Sequence, residues 1–516
     1  MKPKRFDRSV AGLVLAAVLH LGASLAEGQC YLPAPVPLDL APGLGFGRAV
    51  ALAAGRCVVG APLRDADAAS SCFNSGGAYV FELVAGSWVQ RELVPPLAPP
   101  CFASLGESVA IEGAVVAIGS PGWPASATSS GAVLVYELVN GQWSLTAQLT
   151  PSDAPPFSCF GNRVKLSQGR LIVASAHDGG LQSSGAVYVF EKVGAAWTEQ
   201  QKLVASQRAA FDFFAADVAI DGSVMVIGAR GVEPAGAPAS CDSGAAYVFE
   251  YLGGSWVEVQ MLVASDFNCT YERSEFGTSV AISGTVIAVG APRADFGCPP
   301  GPNGSDCNRG VVYVFRRSSV WQEEAMLVRT PSSLTMGYRV AFDGPNRLVA
   351  EGRWDLINFS YSTTQGWSQE SILVPPGTQA GGGLGEDLAL SGGYVLVGEP
   401  FTNGNNQGQV HYYANTPPGV GCESPFIRGD CNTDGTKNIA DAVFGLTFLF
   451  PIGTITTLSC EDACDANDDG AINIADPVAL LAELFGGPSI PLPPPTVCDA
   501  DPTLDSTFCA SNAACP

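Results

Sequence analysis

Twelve residues near the C-terminus, 430–441 (DCNTDGTKNIAD), space oxygen-bearing side chains as a chain wrapped around a hard cation requires. Asp430, Asn432, Asp434, Asn438 and Asp441 stand at positions 1, 3, 5, 9 and 12. Thr436 offers its backbone carbonyl at position 7, and Gly435 at position 6 permits the sharp turn. The stretch 465–476 (DANDDGAINIAD) repeats the pattern with Asp465, Asn467, Asp469, Asn473 and Asp476, the carbonyl of Ala471, and Gly470. Calcium takes six to eight hard oxygen ligands, which this spacing supplies, so the expected cofactor is two calcium ions. Residues 422–516 carry 14 acids against Arg428 and Lys437, an excess of −12 that also points to cations.

Each loop runs into an apolar helix, IADAVFGLTFLF and IADPVALLAELF. Val443, Leu446 and Phe450 in one, and Val478, Leu481 and Phe485 in the other, recur at helical spacing. Pro477 falls in the first turn, where a missing N–H costs little. Neither loop has an entering helix, and position 12 is Asp rather than Glu. In these traits residues 428–487 resemble a type I dockerin, the calcium-folded module that docks secreted enzymes onto cohesin scaffolds. The resemblance implies a small α-helical, EF-hand-like domain and a cohesin-like or other surface protein as partner. Loop positions 10 and 11 are Ile439-Ala440 and Ile474-Ala475, where cohesin-binding dockerins commonly carry polar pairs, so an apolar surface would meet the partner. Arg428-Gly429-Asp430 spells RGD, but Asp430 is already assigned to calcium. The Pro/Cys-rich tail, 488–516, looks like the ends of secreted planctomycete-type proteins with dockerin-like repeats.

Upstream of a Pro-Pro-Gly linker (417–427) the chain is a variation on one unit. Its openings are FGRAVAL, LGESVAI, FGNRVKL, FAADVAI, FGTSVAI, MGYRVAF and LGEDLAL, beginning at Phe46, Leu105, Phe160, Phe214, Phe276, Met336 and Leu384. Second strands of the type VIAVGAP follow, then third strands such as GVVYVF, with a degraded NFSYS in repeat six. Fourth strands begin near Trp88, Trp143, Trp197, Trp256, Trp321 and Trp367. Four short strands per repeat, with Gly/Pro/Ser turns, is the pattern of a propeller blade. The seventh repeat stops after its third strand, and PLDLAP (37–42) is the expected N-terminal strand that completes it and hides both sheet edges. The expected fold is mainly β: a seven-bladed β-propeller over residues 30–416, plus the small helical module.

The unit resembles the FG-GAP repeat of integrin-alpha-type propellers, most clearly at Phe276-Gly277 with Gly290-Ala291-Pro292, and at Gly60-Ala61-Pro62. Many such propellers carry calcium between the first two strands of a blade. Here those connections are short (EGAV, SGTV, DGSV) and hold no Asp ladder, so calcium is expected only in the C-terminal module. The long loops join second to third strands and one blade to the next, and both emerge on one face of the disc. Cysteines in them predict the pairs Cys298–Cys307, Cys72–Cys101 and Cys241–Cys269, with Cys30–Cys422 stapling the closure and Cys57 buried in a strand. The Trp residues are expected as packing anchors.

Lys2, Lys4, Arg5 and Arg8 precede an apolar run ending Ser24-Leu25-Ala26, which reads as a secretory signal peptide over 1–26. All 16 Cys lie beyond it, as in a disulfide-bonded, extracellular or cell-surface protein. No later stretch reaches a membrane-spanning length. The net charge of −23 excludes nucleic acid as a partner, since no basic patch is available to release counterions. Beyond residue 26 the histidines are His177 and His411, and no GxSxG, HExxH or phosphate loop accompanies them, so no catalytic residues are assigned. The expectation is a secreted, non-catalytic binding or adhesion protein. Its propeller loop face takes a protein or glycan, and its calcium module attaches it elsewhere. One alternative is a lectin-like propeller using Trp123, Phe73 or Phe296 as sugar platforms. Another is an accessory or enzyme of extracellular polysaccharide breakdown.

Overall fold

The computed structural model describes residues 30–486 except 40–42, 66–72, 85–86, 92–99, 125–129, 154, 179–181, 234–242, 267–273, 295–308, 331–334, 353, 376–377, 379–381, 403–405, 415–426, 434–435, 451–457, 459 and 468–470. The expected signal peptide, linker and tail therefore lie outside the described residues, Ile427 apart. So do Asp434, Asp469, Phe296, Cys72, Cys241, Cys269, Cys298, Cys307 and Cys422.

Seven four-stranded antiparallel sheets form the blades, spanning 50–91, 108–149, 163–203, 214–262, 279–327, 336–373 and 388–414. Within a blade the strands follow chain order, as in Ser279–Ser283, Val286–Ala291, Val311–Arg317 and Trp321–Leu327 of blade five. The short first strands line the axis and meet one another around the ring, Val50–Ala53 touching Leu388–Ser391. Apolar residues fill the space between neighbouring blades. Ile172 and Val189 of blade three share one core cluster with Phe214, Met225 and Tyr247 of blade four.

An N-terminal strand completes blade seven, as expected, but a different stretch supplies it. Cys30–Leu32 pairs antiparallel with Gln409–Ala414, Tyr31 opposite Tyr413. PLDLAP forms no strand among its described residues. Proline has no N–H to give to a ladder, and Pro33, Pro35 and Pro37 remove every second donor after Leu32. The Leu38 N–H instead donates to the Gln90 side chain in blade one. The third strand of blade six is complete, not degraded: Leu356–Ser362 runs seven residues, with Ile357 and Phe359 buried in place of the usual pattern.

The repeat motif has a packing cause. Phe276 is fully buried and sits edge-on to Tyr313 and Phe315, at 5.3 and 6.1 Å between centroids. Phe46, Phe160 and Phe214 repeat the arrangement against the Tyr and Phe of their own third strands. The expected packing role of the Trp residues holds, for Trp143, Trp197, Trp256 and Trp321 are buried. Outer strands are clamped in series: Ser152, Ser206 and Ser265 donate from Oγ and backbone N to Glu199, Glu258 and Glu323 of the next blade.

Candidate functional site

The two acidic loops fold alike. Helix α1, Ile439–Leu449, starts at the Asn438 cap, and α3, Ala475–Gly486, starts just after Asn473; the short α2, Glu461–Cys464, leads into the second loop. In the first loop the Asp441 carboxylate accepts from the backbone N of Asn432 (3.1 Å) and Asn438 (2.8 Å). In the second, Asp476 accepts from Asn467 (3.3 Å) and Asn473 (2.7 Å). Position 12 thus ties positions 3 and 9 together in both.

The position-9 side chains do something the spacing alone did not reveal. Asn438 Oδ1 accepts from Ala440 N at 2.8 Å, and Asn473 Oδ1 from Ala475 N at 2.8 Å. Their Nδ2 groups donate to the carbonyls of Thr436 and Ala471 at position 7. Both asparagines are helix caps, and a cation would be reached through water, as is common for this position.

Asp430, Asp441, Asp465 and Asp476 are all buried, as is Arg428, which donates to the Asp465 carbonyl at 2.7 Å. Buried Arg428 and Asp430 leave no RGD tripeptide displayed to a partner. Burial pushes the Asp476 carboxyl up to about 6 against the pull of the Asn473 and Asn467 amides, and neighbouring Asp465 pushes it the same way. Four buried carboxylates with one buried arginine are costly without further positive charge. The hard-oxygen donor set fits calcium. Among the described residues no three His, Cys, Asp or Glu side chains gather into a metal cluster, and position 5 of each loop lies outside them.

A disulfide that spacing did not predict joins Cys431, at position 2 of the first loop, to Cys464, just before the second, with 4.4 Å between Cα atoms. Cys460 and Cys101 are disulfide-bonded too, while Cys57 and Cys159 are free thiols. Cys57 is buried in its strand as expected, and burial raises its pKa well above the ordinary thiol value. Helices α1 and α3 meet through small residues, Ala442 and Gly445 among them, with Pro477 lying 3.5 Å from where a Gly445 side chain would begin. This close approach turns the outer part of the apolar stripe to solvent. Val443, Phe450, Val478 and Phe485 are exposed, and so are Ile439 and Ile474.

On the propeller, the loop-rich face carries an aromatic feature. Phe102, Phe157 and Phe211 each stand three residues before a repeat opening, in the connections leading into blades two, three and four. They are 59%, 60% and 51% exposed, and each holds a left-handed backbone (φ 62°, 59° and 69°). A bulky residue seldom adopts that conformation. The sequence signal, F-x-x-[LF] at three successive openings, was legible but masked by the repeat itself. Of the residues expected as platforms, Phe73 is exposed and Trp123 half-buried.

A match to one repeat family agrees with this architecture. The FG-GAP repeat family matches residues 36–81, 143–190, 197–249 and 256–315. Three of these spans begin at an outer-strand Trp and end at the Phe of the next blade's third strand, so the sequence repeat straddles two blades. Four stretches of the chain match the FG-GAP repeat, and the described residues fold as a seven-bladed β-propeller, an architecture that fits a binding or adhesion role. Among solved structures, a protein from Lactobacillus plantarum is similar at 13% identity and a TM-score of 0.44, over 71% of this chain and 98% of that one. No curated protein matches the chain. Among the described residues no helix is long and apolar enough to cross a membrane.

Proposed function

We propose that the chain is a secreted, non-catalytic binding protein whose propeller captures a ligand on its loop face and whose C-terminal module attaches it elsewhere in a calcium-dependent way. The observation that carries the reading is the trio Phe102, Phe157 and Phe211. Exposed rings at equivalent loop tips, each held in a costly backbone conformation, are what a ligand platform needs and what packing does not. Rings of this kind stack on sugar faces, which favours the lectin-like version, with a glycan as ligand, over a protein adhesin.

In the module, Asp430, Asn432, Asp434, Asp441 and the Thr436 carbonyl would hold one calcium ion. Asp465, Asn467, Asp469, Asp476 and the Ala471 carbonyl would hold the other, with Asn438 and Asn473 acting through water. Bound calcium would neutralise the buried carboxylates and so couple metal to folding. The exposed Ile439 and Ile474, duplicated with Val443 and Val478, support docking to a cohesin-like or other surface protein through an apolar face.

The full chain on a glycan array tests the first part. Hits that the Phe102→Ala, Phe157→Ala, Phe211→Ala triple variant loses support the reading. Retention of every hit, or release of a chemical product from one, sinks it. Chelation tests the second part: helical circular dichroism from 428–487 should vanish while the propeller's β signal stays, and an unchanged spectrum refutes the calcium module.

A further inference from the structure

At the axis, the fourth residue of four repeat openings bonds the next blade through its side chain. Ser108 Oγ donates to the Gly161 carbonyl (2.7 Å) and Ser279 Oγ to that of Gly337 (2.9 Å). Asp217 accepts from Val280 N (3.0 Å) and Asp387 from Val50 N (2.9 Å). Blade one has Ala49 at this place, and blades three and six depart in another way. Their residues are Arg163 and Arg339, and among the described residues each guanidinium donates only to the carbonyl before it, Asn162 and Tyr338.

Both arginines line a cavity of about 340 Å³ at the mouth of the axis, on the loop-rich face. Arg230 and His177 join them, with the rings of Phe213 and Tyr338. The Arg230 guanidinium lies over the Phe213 ring at 4.9 Å. His177 Nδ1 accepts from Ser183 N at 2.8 Å, and Thr278 adds a hydroxyl. No carboxylate lines this cavity among the described residues, in a chain of net charge −23.

The acids deeper in the channel are already engaged. Asp217 and Asp387 hold the amides just named, and Glu107 and Glu386 share Arg48. Burial first and the neighbouring Arg339 guanidinium second pull the Arg163 pKa below its ordinary value, while Asp217, Asp387 and Glu107 push it up from the channel side. Two such forks on one cavity, with most of their N–H donors unused, offer an anion charge-assisted hydrogen bonds.

We propose that this axial mouth binds the carboxylate of an acidic sugar, a uronic acid unit, through Arg163, Arg339 and Arg230. Phe213 and Tyr338 supply ring faces, and hydroxyl and imidazole groups are at hand for a sugar's oxygens. A cavity of this size is of the order of a small-molecule site. The strongly acidic surface repels a polyanion, so a single acidic unit fits and a densely charged chain does not. The inference rests on the propeller's being a glycan-binding domain, and it adds the charge and place of the ligand.

Titration calorimetry of the full chain with glucuronate, glucose, acetate and sulfate tests it. Glucuronate should bind, glucose about tenfold or more weaker, and acetate and sulfate weaker again; one lost charge-assisted hydrogen bond accounts for a tenfold change. Arg163→Gln and Arg339→Gln should each weaken glucuronate about tenfold, and Arg163→Lys less, with thermal midpoints showing that every variant is folded. No glucuronate binding by the wild type, equal binding of glucose, or indifference to both substitutions each overturns the proposal. Sulfate or acetate binding as tightly as glucuronate overturns the sugar assignment. Array hits that survive in the Arg163→Gln, Arg339→Gln double variant remove this site and leave the glycan-binding reading standing.

Discussion

Gly398 in blade seven lies directly against the backbone of Gly47 in blade one, so close that a Cβ on Gly398 would overlap the Gly47 carbonyl oxygen. The same meeting recurs at Gly60 with Gly106, Gly119 with Gly161, Gly228 with Gly277 and Gly290 with Gly337. The two glycines that name the repeat therefore belong to neighbouring blades and touch across the gap between them. At Gly398 the contact closes the ring. Gly398→Ala should cost about 3 kcal/mol, as overpacking of a tight interior does. Gly55→Ala, where the left-handed φ of 66° is strained but space is open, should cost roughly 1 kcal/mol. Urea midpoints of the two variants compare them directly, and equal losses would rule out the contact as the cause.

The left-handed Phe157 predicts a trade between stability and binding. Phe157→Asn should raise the thermal midpoint, because Asn tolerates that backbone region better by up to about 1 kcal/mol. It should at the same time weaken ligand capture. A variant that loses stability would show that the ring packs rather than displays.

Glu351 occupies the place taken by glycine in five other blades, its side chain against Gly385. Burial drives its carboxyl pKa well above the ordinary value; Arg339 opposes this, while Glu386 and Asp355 add to it. The folded state then keeps a proton that the unfolded chain releases near pH 4.3. Stability is highest below that pH and falls as pH rises toward the folded pKa. Glu351→Gln removes this loss, so its advantage over wild type should be absent at pH 4 and grow toward pH 8. Parallel stability–pH curves would count against it.

The Cys431–Cys464 bridge couples the two acidic loops through a sequence separation of 33. A cross-link of that span removes unfolded-state freedom worth about 4 kcal/mol. Cys431→Ser with Cys464→Ser should lower the calcium-bound midpoint of the helical signal and weaken calcium affinity, leaving the propeller transition unmoved. Equal affinity in both forms would show that the loops assemble without the staple.

Repeat number, strand order and the duplicated acidic loops could be read from sequence because each rests on local chemistry: alternating apolar residues, glycine at turns, and oxygens at fixed spacing within one loop. Relations between blades were not legible. Whether Cys30–Leu32 or PLDLAP closes the ring depends on which stretch still has N–H groups to pair. Glycine contacts, the exception at Glu351, and the meeting of Arg163, Arg230 and Arg339 from blades three, four and six arise only when the disc closes. The helical module divides in the same way. Sequence set the spacing of its oxygen-bearing side chains, while the close approach of α1 and α3 through Ala442 and Gly445 decided that Val443, Phe450, Val478 and Phe485 face water.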